Sequence, residues 1–321
     1  MDAVAGGGGL RPSTIDLPDG RCLGIYSAGP APRPGGDLVV LEAGLGAVGA
    51  TWAFVMDLLA QQGVSSIAYD RAGYGISTPH PEVRSITALA DDLEHLLDIL
   101  VREHNPERLV LVAHSWGGLV VRTVASRLLQ YEARPGALAA GAASGARPAD
   151  GPDWRRIGAG IVLVDPSDEN VELFFSRAVY IADRIHATLA PPAVRYGAMR
   201  LLCRWMYRSL PRQSRDLALD AVCGPHAGHA VAGELEHVFT SLLRMREENP
   251  DIGSTPLVII SAQGPGRFVQ GAQAVMLRAQ ETTAAAAQNG RVLQARNSGH
   301  QVMLTEPGLV TREILAMLPR A

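Results

Sequence analysis

The sequence predicts an α/β protein built on a mainly parallel sheet with helices on both faces. Three observations lead there. Short apolar, β-rich runs alternate with helical patterns along the chain, and such alternation implies parallel strands joined by crossover helices. The length of 321 residues suits one large domain or two smaller ones. Hydrophobic residues make up 47% and charged residues 19%, enough for a sizeable core and too little charge for a disordered chain.

The elements follow in order. Residues 1–19 are Gly-, Pro- and polar-rich and are expected to fray as a flexible N-terminus. Arg21–Ser27, Asp37–Glu42 and Val64–Asp70 read as strands, with helical spacing over Trp52–Gln62. Ser85–Glu103 is an amphipathic helix, because Ile86, Leu89, Leu93, Leu96, Leu97 and Leu100 recur along one stripe. Arg108–Ala113 is a strand, and a helix runs from Gly117 to near Gln130. Residues 131–156, rich in Ala, Gly, Pro and Arg, are expected to form a mobile surface insertion. Gly160–Asp165, Pro256–Ser261 and Arg291–Arg296 are further strands. Leu309–Leu318 closes the chain as a helix, with Thr305 and Pro307 as start signals. Residues 167–250 hold helical patterns and leave the sheet between the strands at Gly160–Asp165 and Pro256–Ser261. They are expected to form a helical cap on a core of residues 20–166 and 251–321.

Composition removes several function classes. The net charge is −3, and no basic stripe is present to hold a nucleic-acid backbone. All 29 cations are Arg, which excludes a Schiff-base lysine, a Ser–Lys dyad and a Walker-A phosphate loop. Gly6–Gly9 follows no strand and is no dinucleotide loop. Cys22, Cys203 and Cys223 are odd in number and widely spaced, so no disulfide framework is expected and a reducing compartment is the default. The first ten residues lack a signal-peptide core, and no apolar run approaches the ~20 residues of a membrane span. A soluble cytoplasmic protein is expected. Cys223, His226 and His229 have suggestive spacing but lack a well-placed fourth ligand, so no metal is expected.

The chemistry is concentrated in Val110–Gly118, V-L-V-A-H-S-W-G-G. An apolar strand runs into His114-Ser115-Trp116-Gly117 and a helix follows, the pattern of a nucleophile elbow. Ala113 stands where the motif has its first Gly, and it is small enough for the crowded turn. Ser115 is the candidate nucleophile, placed at a helix N-terminus whose dipole favours a developing oxyanion. The backbone N–H of Trp116 is one oxyanion donor. His300, in a loop between the last strand and the last helix, is the candidate base. His80, His95 and His104 precede the elbow, His114 is expected to point elsewhere, and His186, His226, His229 and His237 fall in the cap.

These segments resemble the α/β-hydrolase superfamily, in its capped serine-hydrolase branch. L-E-A-G-L-G (Leu41–Gly46) looks like its oxyanion loop, Y-D-R-A-G-Y-G-I-S (Tyr69–Ser77) like its D-R-x-G-x-G-x-S turn, A-H-S-W-G-G like its elbow and S-G-H (Ser298–His300) like its histidine loop. The resemblance implies an α/β-hydrolase fold with a cap, a second oxyanion donor at the N–H of Leu45, and no cofactor. It also exposes a departure. The commonest acid position follows the P-L-V-I-I-S strand, and no Asp or Glu occurs from Leu257 through Gln280. Asp165, at the tip of the preceding strand, is the candidate acid, with Asp168 and Glu169 as alternatives. Asp70-Arg71 and Gly73-Tyr74-Gly75 are expected to shape a loop. Phe174, Phe175, Tyr180, Trp205 and Tyr207 are candidates for the pocket wall or for the cap's own core. The expected activity is hydrolysis or transfer of a carboxylic ester of a small apolar substrate, with amide cleavage open. The alternative is a non-hydrolytic use of the fold, as a cyclase, ligand receptor or binding protein. The elbow is also similar to that of capped epoxide hydrolases, which carry Asp where Ser115 stands.

Overall fold

The computed structural model describes residues 9–81, 84–132, 158–264 and 270–318. Its strands are β1 (Arg11–Asp16), β2 (Cys22–Ala28), β3 (Asp37–Glu42), β4 (Ser65–Tyr69), β5 (Arg108–His114), β6 (Gly158–Val164), β7 (Leu257–Ala262) and β8 (Gly290–Ala295). They form one sheet in the order β1-β2-β4-β3-β5-β6-β7-β8. β1 and β2 are antiparallel to their neighbours, and β3 to β8 run parallel.

Two-residue periodicity sorts the central strands onto two cores. The row Leu41, Val112, Val162 and Val258 crosses β3, β5, β6 and β7 and faces one apolar cluster. There it meets Val55, Met56 and Leu59 of α1 (Ala53–Gln61), and Val310 and Ile314 of α11 (Pro307–Ala316). The next row, Val40, Leu111, Ile161 and Leu257, faces the other cluster. That face is covered by α2 (Ile86–His104) and α3 (Gly117–Glu132). Strands buried on both faces read as continuous apolar runs, which is why they were legible in the sequence. The Ser85 hydroxyl caps α2 by accepting from the Ala88 N–H, and Asn105 ends it in a left-handed conformation.

Between β6 and β7 the chain leaves the sheet. A short 3-10 turn precedes α4 (Arg177–Arg195), α5 (Ala198–Met206), α6 (Arg212–Val222), α7 (Ala227–Glu236) and α8 (Val238–Glu248). α4 lies against α7, where a Cβ on Gly228 would stand 2.7 Å from the Cα of Pro191. After β7 come α9 (Gln270–Ala286) and, beyond β8, the single turn α10 (Val302–Thr305).

Three differences from the sequence reading have physical causes. Residues 11–16, taken there as part of a frayed terminus, form β1 on an antiparallel register from Arg11↔Ser27 to Asp16↔Cys22. β1 buries only Ile15, as an edge strand can, so it has no apolar alternation to read. Residues 235–244, which read in the sequence as one helical pattern of the 167–250 excursion, divide at His237 into α7 and α8. α9 carries a weak apolar stripe and was not anticipated. Of the expected insertion at 131–156, Tyr131 and Glu132 end α3, and the remainder lies outside the described residues. Among the described residues no helix is long and apolar enough to cross a membrane.

Candidate active site

A parallel sheet gathers the C-terminal ends of its strands along one edge, and the loops there share one space. Ser115 follows β5, Asp165 follows β6, and His300 lies in the loop after β8. The elbow is tight. Ser115 has φ of 52°, its N–H donates to the Val164 carbonyl at 3.1 Å, and its carbonyl accepts from Ser167 N–H at 3.0 Å. Gly117 is required at this point, because a Cβ would stand 2.5 Å from the Ala43 carbonyl oxygen.

His300 joins the two other groups. Its Nε2 lies 3.0 Å from Ser115 Oγ and its Nδ1 2.7 Å from Asp165 Oδ2. Asp165 is held in turn. Its Oδ1 accepts from the Ala262 N–H at 3.0 Å and from Gln280 Nε2 at 3.4 Å, and its own N–H donates to the Ile260 carbonyl at 2.7 Å. The end of β7, where no carboxylate is present, instead supplies a backbone donor to the carboxylate of β6. The alternative acids are engaged elsewhere. Asp168 accepts from Thr283 Oγ1 at 2.6 Å and from Asn170, and Glu169 pairs with both terminal nitrogens of Arg122 at 2.7 and 2.8 Å. Burial pushes the Glu169 carboxyl up, but the charge and hydrogen bonds of Arg122, together with the charge of Arg246, hold the group below its usual range.

Sequence reasoning set His114 aside, and the structure brings it to the site. Its Nε2 is 2.8 Å from the His300 carbonyl oxygen, and the two rings lie 4.5 Å apart. Burial, reinforced by repulsion from the His300 ring, lowers its pKa to about 3. His114 is therefore neutral, and the acceptor at His300 makes Nε2–H its donor. The place of His114 immediately before the elbow serine was the available signal.

The loop after β3 faces the elbow. A Cβ on Gly44 would stand 2.8 Å from His114 Nδ1 and 3.1 Å from Ser115 Cβ, so its backbone lies directly against the elbow. Leu45 is next in that loop and lines the same cavity as Ser115. Among the described residues, the backbone N–H groups of Leu45 and Trp116 make no hydrogen bond. The loop is clamped from behind by the D-R-x-G turn. Asp70 accepts from the Gly49 N–H at 2.7 Å and from Tyr26 OH at 2.8 Å, and burial pushes its pKa up to about 6. Arg71 donates to the Ala43 and Gly44 carbonyls at 2.7 and 2.6 Å, to Glu42 at 2.5 Å, and bidentately to Glu234 of α7 at 2.9 and 2.8 Å. Glu234 also accepts from Arg84 at 2.9 Å. Burial would raise the Glu234 carboxyl, yet the two guanidiniums hold it below its usual range. Glu42 is buried with Arg71 and the Tyr69 hydroxyl.

Ser115 and His300 open into a cavity of about 390 Å³. Its far wall is Met199, Cys203, Met206 and Tyr207 of the α5 region, with Ala190 of α4 and Val231 of α7. Burial pushes the Cys203 thiol up to about 11, so it stays protonated. Of the aromatic candidates, Tyr207 lines the cavity, and Phe174, Phe175, Tyr180 and Trp205 do not. Trp205 is 65% exposed beneath the Arg208 guanidinium, and Phe175 lies between Arg246 and Phe239. α5 turns its 199–203–206 stripe inward, which sends residue 205 outward. His226 and His229 line a separate cleft with His80 and His237, and among the described residues no three His, Cys, Asp or Glu side chains gather for a metal.

Comparison with known proteins agrees with this architecture. A family model described as alpha/beta hydrolase fold matches residues 37–168. Epoxide hydrolase A of Mycobacterium tuberculosis is 33% identical over 105 residues, covering 32% of this chain and 30% of that protein. The curated relatives are matched over 15–32% of their own lengths. Among solved structures, Cfl2 from Burkholderia cenocepacia aligns with a TM-score of 0.69 at 19% identity, covering 97% of this chain and 96% of that one. The enol-lactonase from Burkholderia xenovorans LB400 aligns at 0.62 and 18% identity, covering 95% and 99%. With a sheet of this order and the matched stretch running from β3 through the elbow to Asp168, the chain has the α/β-hydrolase fold.

Proposed function

We propose that the protein is a serine hydrolase that cleaves a carboxylic ester of a small apolar substrate through an acyl-enzyme. The observation that carries this reading is the continuous chain from Ser115 Oγ through His300 to Asp165, open to an apolar cavity. Ser115 Oγ attacks the carbonyl carbon as His300 Nε2 takes its proton, and Asp165 stabilises the imidazolium without accepting the proton itself. The N–H groups of Leu45 and Trp116 hold the oxyanion. The alcohol departs with the proton from His300, and a water activated by the same ring releases the acid. Residues 167–250 serve as the cap that encloses the acyl or alcohol group. The three free thiols suit a cytoplasmic setting.

The chemistry of Ser115 separates this reading from epoxide opening. Serine attack on an epoxide or haloalkane leaves an ether, and an ether offers water no carbonyl carbon to attack. Turnover at Ser115 therefore needs an acyl substrate. The Asp165–His300 contact supports this reading over the non-hydrolytic alternative, since it gives the base a carboxylate partner. Ser115→Ala should lower hydrolysis of chromogenic esters by roughly 10³-fold or more. The same substitution should abolish stoichiometric labelling by a fluorophosphonate probe. Retention of most activity in the variant overturns the assignment.

A further inference from the structure

The outer face of α4 and α5 is apolar where a free surface is ordinarily polar. Ile181 and Ile185 stand one helical turn apart on α4, and Leu201 and Trp205 do the same on α5, all exposed. Tyr196, in the turn between the helices, is 78% exposed. The patch runs into the catalytic pocket, because Leu189 and Leu202 are both exposed and line the cavity that holds Ser115. Its rim is cationic. Residues 176–210 contain six arginines and one acid, Asp183, so this stretch carries +5 while the rest of the chain carries −8. All six arginines are exposed. Arg184 and Arg200 have exposed carboxylate partners on neighbouring helices, and among the described residues Arg204 and Arg208 have none.

Apolar stripes, a Trp and a Tyr at the surface, and a rim of arginines are the features by which amphipathic helices lie in the headgroup region of an anionic bilayer. We propose that the α4–α5 face docks on an anionic lipid surface, with the pocket mouth at the interface. The substrates are then esters with an apolar chain drawn from the bilayer, a consequence that rests on the ester-hydrolase reading. Two other occupants fit less well. A second copy would bring two faces of +5 together. The start of β6, to which residues 133–157 lead in the sequence, lies at the sheet edge opposite Ser115.

The test uses the full chain and sedimentation with vesicles of phosphatidylcholine containing 30% phosphatidylglycerol. Binding is expected, and should fall at least tenfold on pure phosphatidylcholine and in 0.5 M NaCl. Leu201→Glu with Trp205→Glu should reduce it at least tenfold, as should Arg204→Glu with Arg208→Glu. All of these variants should hydrolyse a short soluble ester at the wild-type rate, since none of the four residues lines the cavity. No binding by the wild type, or binding unchanged in both double variants, overturns docking. So does light scattering that shows a dimer which the Leu201→Glu, Trp205→Glu variant dissociates. Vesicle binding without ester cleavage upholds docking and removes the hydrolase reading, and cleavage without binding does the reverse.

Discussion

Asp165 has φ of 42°, a left-handed backbone that turns its carboxylate back over the end of β7 toward His300. Asp tolerates this conformation better than most residues. Asp165→Asn should therefore keep the turn but lose roughly 10²–10⁴-fold in turnover, because an amide cannot stabilise the imidazolium. Asp168→Asn and Glu169→Gln should keep kcat near wild type in steady-state assays. Glu169→Gln should also weaken the fold, as it leaves the buried Arg122 without a countercharge. His114 carries a pH dependence. An unfolded histidine takes up a proton near pH 6.5, and His114 in the fold does so only near 3. Between these values the unfolded state binds more protons, so the stability from neutral His114 is complete above pH 6.5 and drains as pH falls toward 3. From pH 6.5 to 4.5 the loss is on the order of 2 kcal/mol. Urea unfolding at the two pH values should show the wild type losing about that much more than His114→Gln. That Ser115 and His300 would meet was expected from adjacent residues and loop position, and that Asp165 would join them only by elimination. The role of His114 depends on a carbonyl 186 positions away, so its place before the elbow serine pointed to the site without naming its partner.

At the scale of elements, the loop after β3 and the helix α7 are tied by one arginine. Arg71 donates to two loop carbonyls on one side and to Glu234 on the other, with all its partners buried. A buried pair adds little net stability over an apolar replacement, but removing one partner is costly. Glu234→Gln leaves the charges of Arg71 and Arg84 short of a partner, and should lower unfolding stability by about 3–5 kcal/mol in urea. Because Arg71 also positions the loop after β3, which is proposed to supply the Leu45 oxyanion donor, kcat on a short ester should fall even where the variant is fully folded. The D-R-x-G-x-G turn was readable as a loop-shaping motif with an ion pair. That its partner would lie on α7 was not, since 163 residues separate Arg71 from Glu234 and no local pattern links them.

At the scale of the molecule, the cavity is closed by the inward stripe of α5 and by α4 and α7. Met206→Ala should move the preferred ester toward longer chains in a chain-length series, by enlarging a cavity of about 390 Å³. Trp205→Ala should leave the profile on soluble esters unchanged, because that side chain faces away from the cavity. The strands, the elbow and the helical excursion could be read from the chain alone, since each rests on neighbouring residues: apolar runs, a small-residue turn, a 3.6-residue stripe. The wall of the pocket could not. α5 carries one broad apolar arc, with Met199, Cys203 and Met206 toward one side of it, Leu201 and Trp205 toward the other, and Arg200 and Arg204 opposite. Periodicity identifies such a helix without saying which face turns inward. Only packing against α4 and the sheet edge chose between them, and so decided which residues meet a substrate and which remain at the surface.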